Sequence, residues 1–261
     1  MSRQPKILFL DIETAPLEVY AWGLWKVNVG LNQILTEWSI LSYSAKWLGK
    51  RRMIYKDQRG KHNVRDDADL LQEIWHLLNE ADIVVAQNGI RFDVRKIRAR
   101  FILLGMPPPS PFRVIDTLVV AKQLFGFTSN KLAWLAPNLT GHDKYEHKKF
   151  PGFELWIECL KDNPAAWREM KTYNCIDTSD LEAVYLKMRP WIEGHPNVAA
   201  YTAAEEPACP KCGSSHITLV PKPWRTDTGE YPMYHCNECG GWSRGRYTQN
   251  TLAKRKALLR S

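Results

Sequence analysis

The stretch Ile7-Leu8-Phe9-Leu10-Asp11-Ile12-Glu13-Thr14 decides how the rest of the chain is read. Ile7 to Leu10 form a short apolar run of the kind that makes a buried strand. Asp11 and Glu13 follow directly, with Ile12 between them. The period-two alternation of a strand turns both carboxylates to the same side of its end. Acidic side chains in such a place are hard to explain as ordinary surface residues.

Working outward, Trp38 to Tyr55 holds two β-rich segments that flank Gly49 and Lys50, which reads as a hairpin. From Asp67 to Glu80, Leu70, Leu71, Ile74, Leu77 and Leu78 recur at helical spacing behind an acidic start. Ile83 to Val85 reads as a strand. Phe92 to Leu104 reads as a helix that Gly105 and Pro107–Pro109 terminate. Val114 to Asp116 makes a further strand, helical patterns follow at Leu118–Phe125 and Leu132–Leu135, and a polar, basic loop covers Thr140 to Lys149. Pro164 opens a long helix reaching to about Met188. Strands that meander early and later alternate with helices predict an α/β fold, a mixed sheet flanked by helices.

Two more acids join the first pair. Asp93 closes the run Gln87-Asn88-Gly89-Ile90-Arg91-Phe92-Asp93 at a helix start, and Asp177 stands one turn after Tyr173 on the same helical face. Singly, each has a plain explanation: a favourable charge in a first helical turn, or a solvated surface residue. Together they match a chemical need. Mg²⁺ takes one or two carboxylates plus water and substrate phosphate. Two ions roughly 3.5–4 Å apart therefore require about four carboxylates from several segments.

These motifs resemble those of the DEDD, or DnaQ-like, exonuclease superfamily, whose fold is ribonuclease H-like. Leu8-Phe9-Leu10-Asp11-Ile12-Glu13-Thr14 looks like its first motif and Asn88-Gly89-Ile90-Arg91-Phe92-Asp93 like its second, in the form seen in family B polymerase proofreading domains. Tyr173-Asn174-Cys175-Ile176-Asp177 is similar to the third, of the tyrosine subgroup. Val114-Ile115-Asp116-Thr117-Leu118 resembles a family strand between the last two, and the match spans roughly residues 6–192. The resemblance implies two Mg²⁺ or Mn²⁺ ions. Asp11, Glu13 and Asp177 would hold one, and Asp11 and Asp93 the other. Tyr173 would orient the attacking water, since an ordinary tyrosine pKa near 10 argues against free-standing base catalysis. Asn88 either positions the terminal nucleotide or ties down its own loop. Thr14 and Phe92 join it as candidate substrate contacts. Trp22 and Trp25 read as core or rim packing, and His142, His147, Lys144, Lys148 and Lys149 as a solvated loop.

The last quarter is different. Cys209-Pro210-Lys211-Cys212-Gly213 is answered by Cys236-Asn237-Glu238-Cys239-Gly240-Gly241, with 23 residues between the pairs. Two such knuckles outline a tetrahedral, structural Zn²⁺ site in a zinc ribbon, with strands at Ile217–Val220 and Tyr231–His235. Beyond Cys239, Arg244, Arg246, Lys254, Arg255, Lys256 and Arg260 surround Trp242 and Tyr247. That mixture suits nucleic acid, a plain basic tail being the alternative for residues 250–261. The chain has 36 Lys and Arg against 28 Asp and Glu, a formal charge of +8, which favours a polyanionic partner. No apolar run approaches a membrane span and none resembles a signal peptide, so no membrane partner and a cytoplasmic location are expected. The domains read as 1–195 nuclease, 196–207 linker, 208–249 zinc ribbon and 250–261 basic tail.

The expected function is 3′→5′ exonucleolytic cleavage of nucleic acid, single-stranded DNA favoured over RNA, with a DNA polymerase or replication protein as a candidate partner. The competing readings are an RNA-trimming exonuclease and a catalytically weak recruitment module.

Overall fold

The computed structural model describes residues 4–143, 145–203 and 205–259, so Lys144 of the basic loop and Arg260 of the tail lie outside the described residues. The chain divides into two compact units, Lys6–Tyr185 and Met1–Pro5 with Leu186–Ser261.

In the larger unit β1 (Ile7–Thr14) is followed by a small ribbon, β2 (Glu18–Val19) and β3 (Ile34–Thr36), and by the hairpin β4 (Ile40–Trp47) and β5 (Met53–Asp57). Then come α1 (Ala68–Glu80), β6 (Ile83–Ala86), α2 (Asp93–Leu103), β7 (Arg113–Asp116), α3 (Thr117–Leu124), α4 (Leu132–Thr140), α5 (Glu154–Leu160) and the long α6 (Pro164–Met188). The main sheet has the order β5-β4-β1-β6-β7. β1 pairs antiparallel with β4 and parallel with β6, so the sheet is mixed, as the α/β reading requires.

Strand alternation in β1 builds the two faces. Leu8, Leu10 and Ile12 point into a core with Leu71, Ile74 and Leu78 of α1 and Val94, Ile97 and Phe101 of α2. Phe9, Asp11 and Glu13 must then face the other way, toward α6. Phe9 meets Tyr185 edge-on at 5.4 Å between ring centroids. A second core under α5 and α6 gathers Leu41, Leu155, Trp167 and Met170.

The structure corrects several expectations. Asp11 and Glu13 lie within β1, because pairing with β4 continues past them (Asp11 opposite Ser44, Glu13 opposite Ser42) to a bulge at Glu13/Thr14. Trp22 and Trp25 do not pack: they are 101% and 87% exposed, in a loop whose flanking strands are too short to cover them. β2, β3 and α5 are too short to leave a periodic signature, and α4 continues through Pro137 to Thr140.

Asp67, read as a helix-start acid, makes no side-chain cap to α1. Its carboxylate, fully buried, instead accepts from the Ile40 amide at 2.8 Å and from Arg100 at 2.9 and 2.6 Å, tying β4 to α2.

The smaller unit holds a 3₁₀ turn at Val198–Tyr201 and the strands β8 (Ile217–Arg225), β9 (Glu230–Cys236) and β10 (Trp242–Arg244) in the order β10-β9-β8. A helix, α7 (Leu252–Ala257), occupies part of the tail, capped by the Thr251 hydroxyl. Among the described residues no helix is long and apolar enough to cross a membrane.

Removing one partner of a buried ion pair strands the other, which typically costs about 3–5 kcal/mol. Asp67→Ala should therefore lower unfolding free energy by about that much in urea titrations. A loss comparable to that of a surface substitution would contradict the role given to this pair.

Candidate active site

A polar seam fixes α6 against β4. The Ser42 hydroxyl donates to Asn174 Oδ1 at 3.1 Å and the Ser44 hydroxyl to the Asn174 carbonyl at 2.7 Å. Thr178 bonds Ser44, and Lys46 pairs with Glu182. Residues 174, 178 and 182 stand one helical turn apart, and 42, 44 and 46 share one strand face. Four helical residues rise about 6.0 Å and two strand residues about 6.6 Å, so the two ladders stay in step.

Asn174 extends that seam to the acids. Its Nδ2 donates to Asp11 Oδ2 at 2.5 Å. Glu13 accepts from the Trp156 indole of α5 at 3.0 Å. Oxygens of Asp11, Glu13 and Asp177 all lie within 4.8 Å of one another. Such crowding of hard oxygen donors fits a divalent cation and is otherwise repulsive.

Asp93, 2% exposed, approaches β1 from the start of α2, and its Oδ1 accepts from the Ile12 amide at 3.1 Å. It stands outside the three-carboxylate cluster yet close enough to raise the pKa of Asp11. Burial, then the charges of Asp93, Glu13 and Asp177, holds Asp11 well above the ordinary carboxylate range. Burial, with Asp177 next, pushes Glu13 up to about 8. Burial also pushes Asp93 to about 7 and Asp177 to about 6, against hydrogen bonds that favour their ionised forms.

The loop ahead of Asp93 is shaped by Asp116. This buried carboxylate accepts from the amides of Asn88 at 2.9 Å, Ile90 at 3.1 Å and Leu118 at 3.0 Å. Asn88 adopts a left-handed φ of 64°. A Cβ on Gly89 would meet that of Ala86 at 2.4 Å, so only glycine fits there. Thr14 sits partly buried beyond the bulge, and Phe92 packs against the core below α1 and α2.

Tyr173 hydrogen-bonds Asp177, and burial together with the nearby carboxylates raises its pKa far above the usual value. It is therefore a proton donor held in place, unable to act as a free base. The basic loop is not merely solvated: His147 packs edge-on against Tyr173 and Trp156, at 5.2 and 5.7 Å between centroids. Its Nδ1 lies 2.7 Å from the Phe150 carbonyl. His142 pairs with Asp180 at 2.9 Å. A cleft of about 550 Å³ opens beside Tyr173 and Asp177, with Lys131 and Lys148 on its walls.

In the smaller unit Cys209, Cys212, Cys236 and Cys239 converge, with Sγ atoms 3.6 Å apart for 209–239 and for 212–236. Zn–S bonds of about 2.3 Å in a tetrahedron give S···S edges of about 3.75 Å, so these four thiols fit zinc. Disulfides require about 2.05 Å and are ruled out. Arg244 and Arg246 lie exposed on the same unit, whereas the carboxylates belong to the larger one.

Sequence reasoning missed Asn174, Trp156, Asp116 and His147 as partners of the site. Asn174 was the most accessible, since it neighbours Tyr173; Trp156 reaches Glu13 across 143 residues with no local signal.

The model of the RNase_H superfamily matches residues 8–189. The chain is 27% identical over 176 residues to Protein NEN3 of Arabidopsis thaliana, covering 61% of this chain and 34% of that protein. It thus spans about a third of that relative's length. Among solved structures it is similar to the family B DNA polymerase of the archaeon Pyrobaculum calidifontis. The TM-score is 0.50 at 14% identity, over 72% of this chain and 25% of that one, a likeness of fold alone.

Raised pKa values mean that the folded chain holds more protons than the unfolded chain between the ordinary carboxylate range and about pH 8. Stability without Mg²⁺ or Mn²⁺ should thus be greatest below that window and fall as pH rises through it. Thermal melts across the window should show this decline, flatter in Asp11→Asn. Parallel declines in the two proteins would contradict the cluster's part in it.

Proposed function

Because the chain belongs to the RNase_H superfamily, a family of nucleases, we propose that it is a metal-dependent 3′→5′ exonuclease of the DEDD class, tyrosine subgroup. The observation that carries this reading is the convergence of Asp11, Glu13 and Asp177, with Asp93 within reach of Asp11. On this reading Asp11, Glu13, Asp93 and Asp177 hold two Mg²⁺ or Mn²⁺ ions. When bound, such ions supply an activated water and stabilise charge on the attacking and leaving oxygens.

The chain's own residues do the rest. Asn174 and Trp156 aim the carboxylates of Asp11 and Glu13. Tyr173, kept protonated with its hydroxyl proton given to Asp177, is proposed to orient the water by accepting a hydrogen bond from it at the phenolic oxygen. Asn88, Thr14 and Phe92, the last partly buried against the core at the start of α2, are proposed to meet the terminal nucleotide. Lys131 and Lys148 beside the cleft suit the strand's phosphates. Single-stranded DNA is the favoured substrate, by the polymerase-like form of the second motif, and a replication protein the favoured partner. Cys209, Cys212, Cys236 and Cys239 are proposed to hold one structural Zn²⁺ in a ribbon over 208–249, joined by 196–207 to a nuclease domain over 1–195.

Digestion of 5′-labelled single-stranded DNA and matched RNA, with Mg²⁺ or Mn²⁺ or neither, tests the proposal. A metal-dependent ladder shortening from the 3′ end is expected, at least 10²-fold slower in Asp93→Ala, given what one electrostatic group contributes to such a transition state (about 10²–10³). Products cut internally, or a ladder that persists in Asp93→Ala, would sink it.

A further inference from the structure

One face of the three-stranded sheet in the smaller unit is aromatic and basic. Residues directly opposite in an antiparallel ladder share a face, as do alternate residues along a strand. Trp224 stands opposite Tyr231, Arg244 opposite Met233 and Trp242 opposite His235, and the three β9 residues alternate. All six side chains therefore rise from the same side. Core packing does not explain them, since Trp224 and Trp242 remain 36% and 45% exposed.

Both indoles, with Lys211, Arg244 and Arg246, line a cleft of about 520 Å³ inside this unit. Small-molecule sites typically measure roughly 300–1,000 Å³, so a nucleotide fits. The Arg244 guanidinium lies 4.1 Å from the Tyr231 ring centroid, and Trp242 rests on His235 at 4.6 Å. Such contacts hold the platform's parts in place before any ligand arrives. Lys211 is engaged with the Pro190 carbonyl, which leaves the exposed Arg244 and Arg246 for an incoming anion. Glu193 is the one acid among the lining residues.

We propose that this cleft is a second nucleic-acid site, which takes single-stranded DNA or RNA by stacking bases on Trp224 and Trp242 while Arg244 and Arg246 meet the phosphates. The proposal rests on the nucleic-acid reading above for the class of polymer, and on the sheet face for the place. Every base has a π-face, so such a platform binds strands with little regard to sequence. Planar guanidinium forks suit phosphate oxygens. Its effect is retention of the strand.

The test is equilibrium binding of fluorescent oligo-dT and oligo-U to the full chain bearing Asp93→Ala, without Mg²⁺ or Mn²⁺, so that nothing is cleaved. Trp224→Leu and Trp242→Leu should each weaken binding roughly 5–160-fold, the range that loss of one stacked base gives. Trp242→Phe should restore most of it. Arg244→Gln with Arg246→Gln should reduce the salt slope by about 1.4, at about 0.7 per phosphate contact. The two oligomers report whether DNA or RNA is held. Zinc content equal to the parent's shows that each variant is folded; should the leucine variants lose zinc, Trp242→Phe and the salt slope decide. Unaltered affinity and salt slope for both polymers would overturn the proposal, whether or not the chain is a nuclease. Weakened binding in a chain that cleaves nothing would sustain it and sink the exonuclease reading instead.

Discussion

Carboxylates repel, and this fold holds Asp11, Glu13 and Asp177 within 4.8 Å of one another, with Asp93 close behind. Everything around them serves to keep α6 and β1 in contact despite that repulsion. The seam does most of it: Ser42, Ser44 and Lys46 engage Asn174, Thr178 and Glu182 turn by turn. Small hydroxyl side chains let the helix backbone come close, where larger apolar ones would push it away. Because Asn174 belongs to both the seam and the site, the packing of α6 and the aim of Asp11 are one interaction.

The second acid-bearing segment is held by different means. Asp116 at the end of β7 gathers the amides of Asn88 and Ile90, and Gly89 lets the turn press on Ala86. The turn then delivers Asp93 against the Ile12 amide, between Asp11 and Glu13 in the chain. Three segments distant in sequence thus reach one place through backbone hydrogen bonds and close approach, with little direct attraction among the acids themselves.

Much of this was legible in the sequence, because strand and helix periodicity is local. The apolar run before Asp11, the four-residue spacing of Tyr173 and Asp177, and the two cysteine knuckles each announce geometry within a few residues. What was hidden depends on long-range partners. Trp156 and His147 come to the site only because α5 and the loop before it fold under α6. Asp67 looks like a helix cap and is instead the hinge between β4 and Arg100. Trp22 and Trp25, whose type suggests packing, find too little secondary structure beside them to pack on. The aromatic face of the small sheet emerges only once the register of β8, β9 and β10 is known.

Burial first, and mutual repulsion after it, hold these acids in a state that the divalent cations of the proposed function would relieve. Calorimetric titration with Mn²⁺ at pH 7, in buffers of different ionisation enthalpy, measures this directly. Ligand carboxylates with raised pKa values must give up protons as the metal binds. Binding accompanied by proton release, with both lost in Asp11→Asn, is the result predicted. Binding that releases no protons, or that survives unchanged in Asp11→Asn, would show that these acids do not hold the metal.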